Sequence, residues 1–194
     1  MRAPVLATSR ALVAGCVLAA ATATAATTLV HAEPLPAGSI GLQAGILAGT
    51  GADAARLGYG YQVGAQAGWA PISTEERVGW LARWSFMYGS LYSAGAARVE
   101  DHLRALQMDL MLGIRIRPGT SPSRYLTLQA GGELLRMDQV IPPDNHRAFA
   151  GGVAAIGIDQ YKYSSLFSID VRVSQIGTGP AIIALVLGIG KTGG

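Results

Sequence analysis

Six charged residues in this chain of 194 share one local setting: Arg83, Asp109, Arg115, Glu133, Asp170 and Arg172 each stand between apolar neighbours, one of them a glycine. Three carry each sign, with Arg117 left at a wet rim. All three cations are Arg, whose planar fork suits paired hydrogen bonds to carboxylates in a confined space. Such a set can serve as a plug of ion pairs and Gln/Ser hydrogen bonds, or it can line a narrow ion path. Other chemistry is not signalled. His102 and His146 lie at the edges of expected loops and lack the spacing of a metal pair or a nucleophile's base. Gly131-Gly132 and the GTGAD of Gly49 to Asp53 are not phosphate loops, because no helix or Gly-Lys-Thr follows. Gly190-Lys191-Thr192 lacks the earlier glycine and the helix. No catalytic residue, metal or cofactor is expected.

To face one interior, the six charges need elements that turn every second residue inward. The stretch GYGYQVGAQAGW, Gly58 to Trp69, alternates Tyr59, Tyr61, Val63, Ala65, Ala67 and Trp69 with Gly58, Gly60, Gln62, Gly64, Gln66 and Gly68. A period of two marks a β-strand, whose successive side chains leave opposite faces. The same pattern recurs in SIGLQAGILAG, VGWLARWSFMYG, LQMDLMLGIRIR, YLTLQAGGELL and LFSIDVRVS, and in none of these five does a charge fall on the apolar face. AFAGGVAAIGI, Ala148 to Ile158, and AIIALVLGIG, Ala181 to Gly190, are apolar on both faces and could be buried helix by periodicity alone. Gly151-Gly152 could form a bulge that shifts the phase. Their β-branched and glycine content, and the even strand number of a closed bacterial barrel, favour strands and a total of about eight.

Composition decides which face meets water. The N-terminus, MRAPVLATSR followed by an alanine-rich apolar run and Val30-His31-Ala32, reads as a secretory signal peptide over residues 1–32, ahead of a barrel domain over 33–194. A membrane anchor and a lipobox ending at Cys16 are the competing readings of that segment. Removing Arg2 and Arg10 from the 15 basic residues leaves 13 against 12 acidic ones and no cysteine, so neither a nucleic-acid stripe nor a disulfide framework is expected. Only 14% of the chain is charged, against about 25% in soluble domains, and the mean hydropathy is +0.33. A soluble domain could not coat itself with so little charge. After the signal no apolar run reaches the roughly 18–20 residues of a spanning helix, which leaves strands to cross a membrane.

Aromatic residues mark the two expected water boundaries. Tyr59 and Tyr61 stand near one end of their strand and Trp69 at the other, while Trp80 and Tyr88 bracket the next strand in mirror order. Ten steps of about 3.3 Å, tilted near 45°, rise about 23 Å, close to an apolar band of about 25 Å. Residues 39–190 resemble the small eight-stranded outer-membrane barrels of the OmpA and OmpX kind, an all-β, closed, antiparallel up-and-down architecture. The chain departs from them in ending GIGKTGG, where an aromatic residue usually closes the last strand. The resemblance implies an outer-membrane location, lipid as a partner, a monomer, and external loops at Gly49–Leu57, Ser90–Asp101, Arg136–Arg147 and Gln175–Pro180 that could meet envelope or extracellular partners. Periplasmic turns would fall at Ala70–Arg77, Pro118–Ser123 and Asp159–Tyr163. Barrels of this size that modify lipid A carry outward His and Ser, whereas the outward faces here carry almost no Ser and no mid-strand His. The alternative is a soluble exported barrel with the faces inverted, holding a small apolar ligand.

Overall fold

The computed structural model describes residues 38–50, 58–70, 77–92, 102–119, 121, 123–139, 146–176 and 181–193. The expected signal peptide, its cleavage after Ala32, Cys16 and most of the external loops lie outside the described residues. Eight strands follow in chain order: β1 (Gly38–Thr50), β2 (Tyr59–Trp69), β3 (Val78–Tyr92), β4 (His102–Ile116), β5 (Arg124–Gln139), β6 (His146–Lys162), β7 (Ser165–Ile176) and β8 (Ala181–Thr192). Each pairs antiparallel with the next, and β8 returns to β1 from Ser39↔Thr192 to Thr50↔Ala181. The sheet closes on itself, so no strand presents an open row of backbone donors and acceptors. One end of the barrel holds Gly38 and Thr192 and is called here the terminal end. The other, at Thr50, Tyr92, Gln139 and Ile176, is the loop end.

Both ambiguous segments are strands. Gly151-Gly152 makes no bulge, since Gly131↔Val153, Gly132↔Gly152 and Glu133↔Gly151 pair in unbroken register. Several strands run past their expected limits: β3 continues to Tyr92 and β5 to Gln139. The largest difference is in β6, which extends to Lys162 and pairs Lys162 with Ser165. Asp159 therefore lies inside a strand and not in a turn, and the reversal falls on Tyr163 and Ser164, with Tyr163 at φ 54°.

The alternation sorts side chains as a lipid-exposed barrel requires. Ile40, Leu42 and Ile46 of β1, Leu110 and Leu112 of β4, Ile169 and Val171 of β7 and Leu187 of β8 all face outward. Gln43, Gln62, Gln66, Arg83, Asp109, Gln129 and Arg172 are buried inside. Lumen-side glycines let strands approach where a methyl group would not fit. A Cβ on Gly113 would strike the Leu128 carbonyl oxygen, and one on Gly157 would strike the Asp170 carboxylate. The second clears the space in which the central ion pairs lie.

Candidate functional site in the lumen

All six charged residues singled out in the sequence are buried, and with Asp159 they make seven. Arg83 on β3 donates from Nη1 to Asp170 Oδ2 at 2.7 Å and from Nη2 to both carboxylate oxygens of Asp159 at 2.9 Å. Arg172 on β7 reaches Asp109 Oδ2 and Ser85 Oγ from Nη1 at 3.0 Å, and Gln43 Oε1 and Asp170 Oδ2 from Nη2 at 2.8 and 3.4 Å. The result is a ladder of alternating charge, Asp159–Arg83–Asp170–Arg172–Asp109, that crosses the lumen between β3, β4, β6 and β7. Asp109 takes further bonds from Ser85 Oγ at 2.8 Å and Gln107 Nε2 at 3.1 Å. One expectation needs correction: Arg83 depends on Asp159, which was expected in a turn and lies inside β6. Charges on non-adjacent strands meet because an eight-stranded barrel is only about as wide as two facing side chains.

Arg115 and Glu133 flank this ladder. Arg115 lies nearer the terminal end, where its guanidinium sits 4.8 Å from the centroid of the Tyr125 ring and donates to the Tyr161 hydroxyl. Tyr161 in turn packs edge-on to Tyr125 at 5.7 Å. Glu133 faces Asp109 directly across the β4–β5 pair and accepts from Ser174. Toward the loop end the lumen changes character. Leu47, Met87, Leu91, Ala105, Leu135, Ile182, Ala184 and Val186 form a buried apolar cluster, with Leu103, Met137 and Phe149 against it. A lumen filled by polar side chains was expected; toward the loop end apolar side chains predominate, with the buried Gln107 set between Met87 and Leu135 and Ser174 beside Ile182.

On the outside, Tyr59, Tyr61, Trp69, Trp80 and Tyr88 are all exposed, and all stand on β2 and β3. Tyr92, at the loop end of β3, lies with its ring centroid 6.1 Å from those of Tyr59 and Tyr61. The tyrosines occupy the loop end of this wall, and Trp69 and Trp80 the terminal end. Trp84 is exposed between them.

A closed eight-stranded barrel, apolar outside and charged within, has the fold of the small outer-membrane barrels. Among solved structures it is similar to Ail, the attachment invasion locus protein of Yersinia pestis, with a TM-score of 0.56 and 10% identity over 82% of this chain and 99% of that one. Ail in complex with the heparin analogue sucrose octasulfate gives 0.53 and 12% over 82% and 99%. Neisserial surface protein A gives 0.55 and 13% over 80% and 97%. No protein-family profile matches the sequence, and no curated protein matches it. At these identities the likeness concerns the fold.

Proposed function

We propose that the protein is an integral outer-membrane barrel of a Gram-negative bacterium, not an enzyme, exported by its signal peptide and monomeric in lipid. It works as a sealed scaffold that carries loops to the cell surface. The observation that carries this reading is the outer wall, aliphatic or aromatic on every strand, wrapped around buried ion pairs. A charge facing lipid at the midplane costs roughly 2–4 kcal/mol for Arg or Lys, so this sorting is what a bilayer imposes. In this reading the terminal end faces the periplasm, Tyr59, Tyr61 and Tyr88 sit at one lipid–water boundary, and Trp69 and Trp80 sit at the other. In this reading the ion-pair ladder is a plug and not an ion path, and the apolar cluster toward the loop end supports it. Contact with an envelope or extracellular partner then falls to the loops. The complex of Ail with sucrose octasulfate is a precedent for ligand binding by a barrel of this shape.

Leu110 and Asp109, adjacent on β4, test the reading, since Leu110 is 59% exposed and Asp109 1%. A nitroxide at position 110 in bilayers should be reached by oxygen dissolved in lipid and shielded from a water-soluble relaxant. Leu110→Arg should lower unfolding stability in lipid by about 2–4 kcal/mol. A protein that stays soluble without detergent, with position 110 open to the aqueous relaxant, would instead be the soluble ligand-holding barrel.

A further inference from the structure

The outer wall is thinnest across β5 and β6, where Ala130, Gly132, Ala148, Ala150, Gly152 and Ala154 face outward. Toward the loop end this leaves a recess of about 330 Å³, walled by Leu106, Met108 and Leu134, with Ala148 and Ala150 along it and Arg136 at its edge. Its size is at the low end of ligand-holding pockets, about 300–1,000 Å³. Packing of the barrel does not demand these small residues. A Cβ built on Gly132 meets nothing within 4 Å, and one on Gly152 meets only the Gly131 carbonyl at 3.8 Å. The lumen-side Gly113 and Gly131, where a Cβ would collide with backbone, are the opposite case.

Charge is placed just as unevenly. Among the described side chains, the outward-facing charged groups of the strands at the loop end are Arg104, Arg136 and Asp138, all on β4 and β5 above the recess. Arg104 pairs across the sheet with Asp138, and Arg136 donates from Nε to Asp138 Oδ1 at 3.0 Å while remaining 52% exposed. The trio carries a net positive charge at the height of a lipid headgroup, directly above an apolar slot. A second recess of about 340 Å³, on the opposite wall between β8, β1 and β2, is lined by Ile46, Ala48, Tyr59, Ile183 and Leu185 and has no cation among its lining residues.

We propose that the β4–β6 recess seats an acyl chain of a phosphorylated lipid of the outer leaflet, whose phosphate is received by Arg104 and Arg136. Phosphate and guanidinium form charge-assisted, often paired, hydrogen bonds, and the slot supplies the apolar contact that a surface Arg pair lacks. The site rests on the outer-membrane reading above and deepens it, since a bilayer is what presents such a lipid at that height.

The test uses the full barrel in detergent micelles with diphosphoryl lipid A, its dephosphorylated form and phosphatidylethanolamine as probes, read by native mass spectrometry. The wild type should retain one diphosphoryl lipid A per barrel, at least about tenfold more strongly than the dephosphorylated form, a difference of roughly 1.4 kcal/mol. Arg104→Gln/Arg136→Gln should abolish that preference. Ala150→Leu, which fills the slot and leaves both arginines, should weaken retention of every acylated probe, while Ala48→Leu in the opposite recess should leave it unchanged. Each variant is checked for a heat-dependent shift on an SDS gel as evidence of folding. Equal retention of the phosphorylated and dephosphorylated lipids, an unchanged preference in the double Arg variant, or loss of a barrel dimer on Ala150→Leu would overturn the site. Failure of the wild-type barrel to enter vesicles would overturn the membrane reading itself, a separate result.

Discussion

In the middle of the lumen Arg172 holds Ser85, Asp109, Gln43 and Asp170 at 2.8–3.4 Å, whereas nearer the loop end the same cylinder is filled mainly by Met87, Leu91, Leu135 and Ile182, with Gln107 and Ser174 among them. The two tiers meet the same steric demand with opposite chemistry. Directional bonds between a guanidinium and a carboxylate are satisfied at few relative positions of the strands that carry them, so the charged tier constrains how β3, β4, β6 and β7 face one another. Apolar packing tolerates more arrangements and costs nothing in desolvated charge. A buried ion pair is therefore weak evidence for stability, although breaking one is costly. In the proposed scaffold the charged tier sets the arrangement of the interior and the apolar tier seals it.

The sharpest way to separate those roles is to convert part of one tier into the other. Arg172→Met leaves Asp109 buried without its cation and should cost about 3–5 kcal/mol. Adding Asp109→Leu removes the orphaned charge, and Asp170 keeps Arg83, so the double variant should regain most of the loss. Urea unfolding in bilayers, followed through the outward-facing Trp69, Trp80 and Trp84, measures both. A double variant as unstable as the single one would mean that the ion pair itself holds the barrel together. In the apolar tier, Met87 is fully buried, and Met87→Ala should cost about 2–5 kcal/mol, at the lower end if Leu47 and Val186 close over the gap. Planar-bilayer recordings should show ion leakage through Met87→Ala and none through Arg172→Met/Asp109→Leu. The reverse result would assign the seal to the charged tier.

Much of the charged tier was legible because a charge between two apolar residues leaves no doubt about which face it takes. That holds for Asp109 between Met108 and Leu110, and for Arg172 between Val171 and Val173. Asp159 escaped because the segment that follows, Gln160-Tyr161-Lys162-Tyr163-Ser164-Ser165, is polar on both faces and reads as a turn. The actual reversal places Tyr163 in the left-handed region, where Gly or Asn is the usual marker. The apolar tier was hidden for a related reason: near Leu47, Leu91, Leu135 and Ile182 the inward residues are as apolar as the outward ones, so alternation carries no contrast. Partners were not legible at all. Arg172 and Asp109 stand 63 positions apart on strands that do not pair, and only closure of the barrel brings them together.

Gln129 offers the smallest and most discriminating effect. It is buried on β5 between Gly113 and Ala155, and both atoms of its amide lack a partner among the described protein groups. A buried polar atom left without a hydrogen bond costs about 1–3 kcal/mol, and replacing it with an apolar group of the same shape is close to neutral or favourable. If the interior around Gln129 is as dry as the apolar tier, Gln129→Leu should leave the unfolding free energy within about 1 kcal/mol of the wild type, on the stabilising side. A loss above about 2 kcal/mol would show instead that solvent bonds the amide. The charged tier would then be wet, and its ion pairs would owe their tolerance of burial to that water as well as to one another.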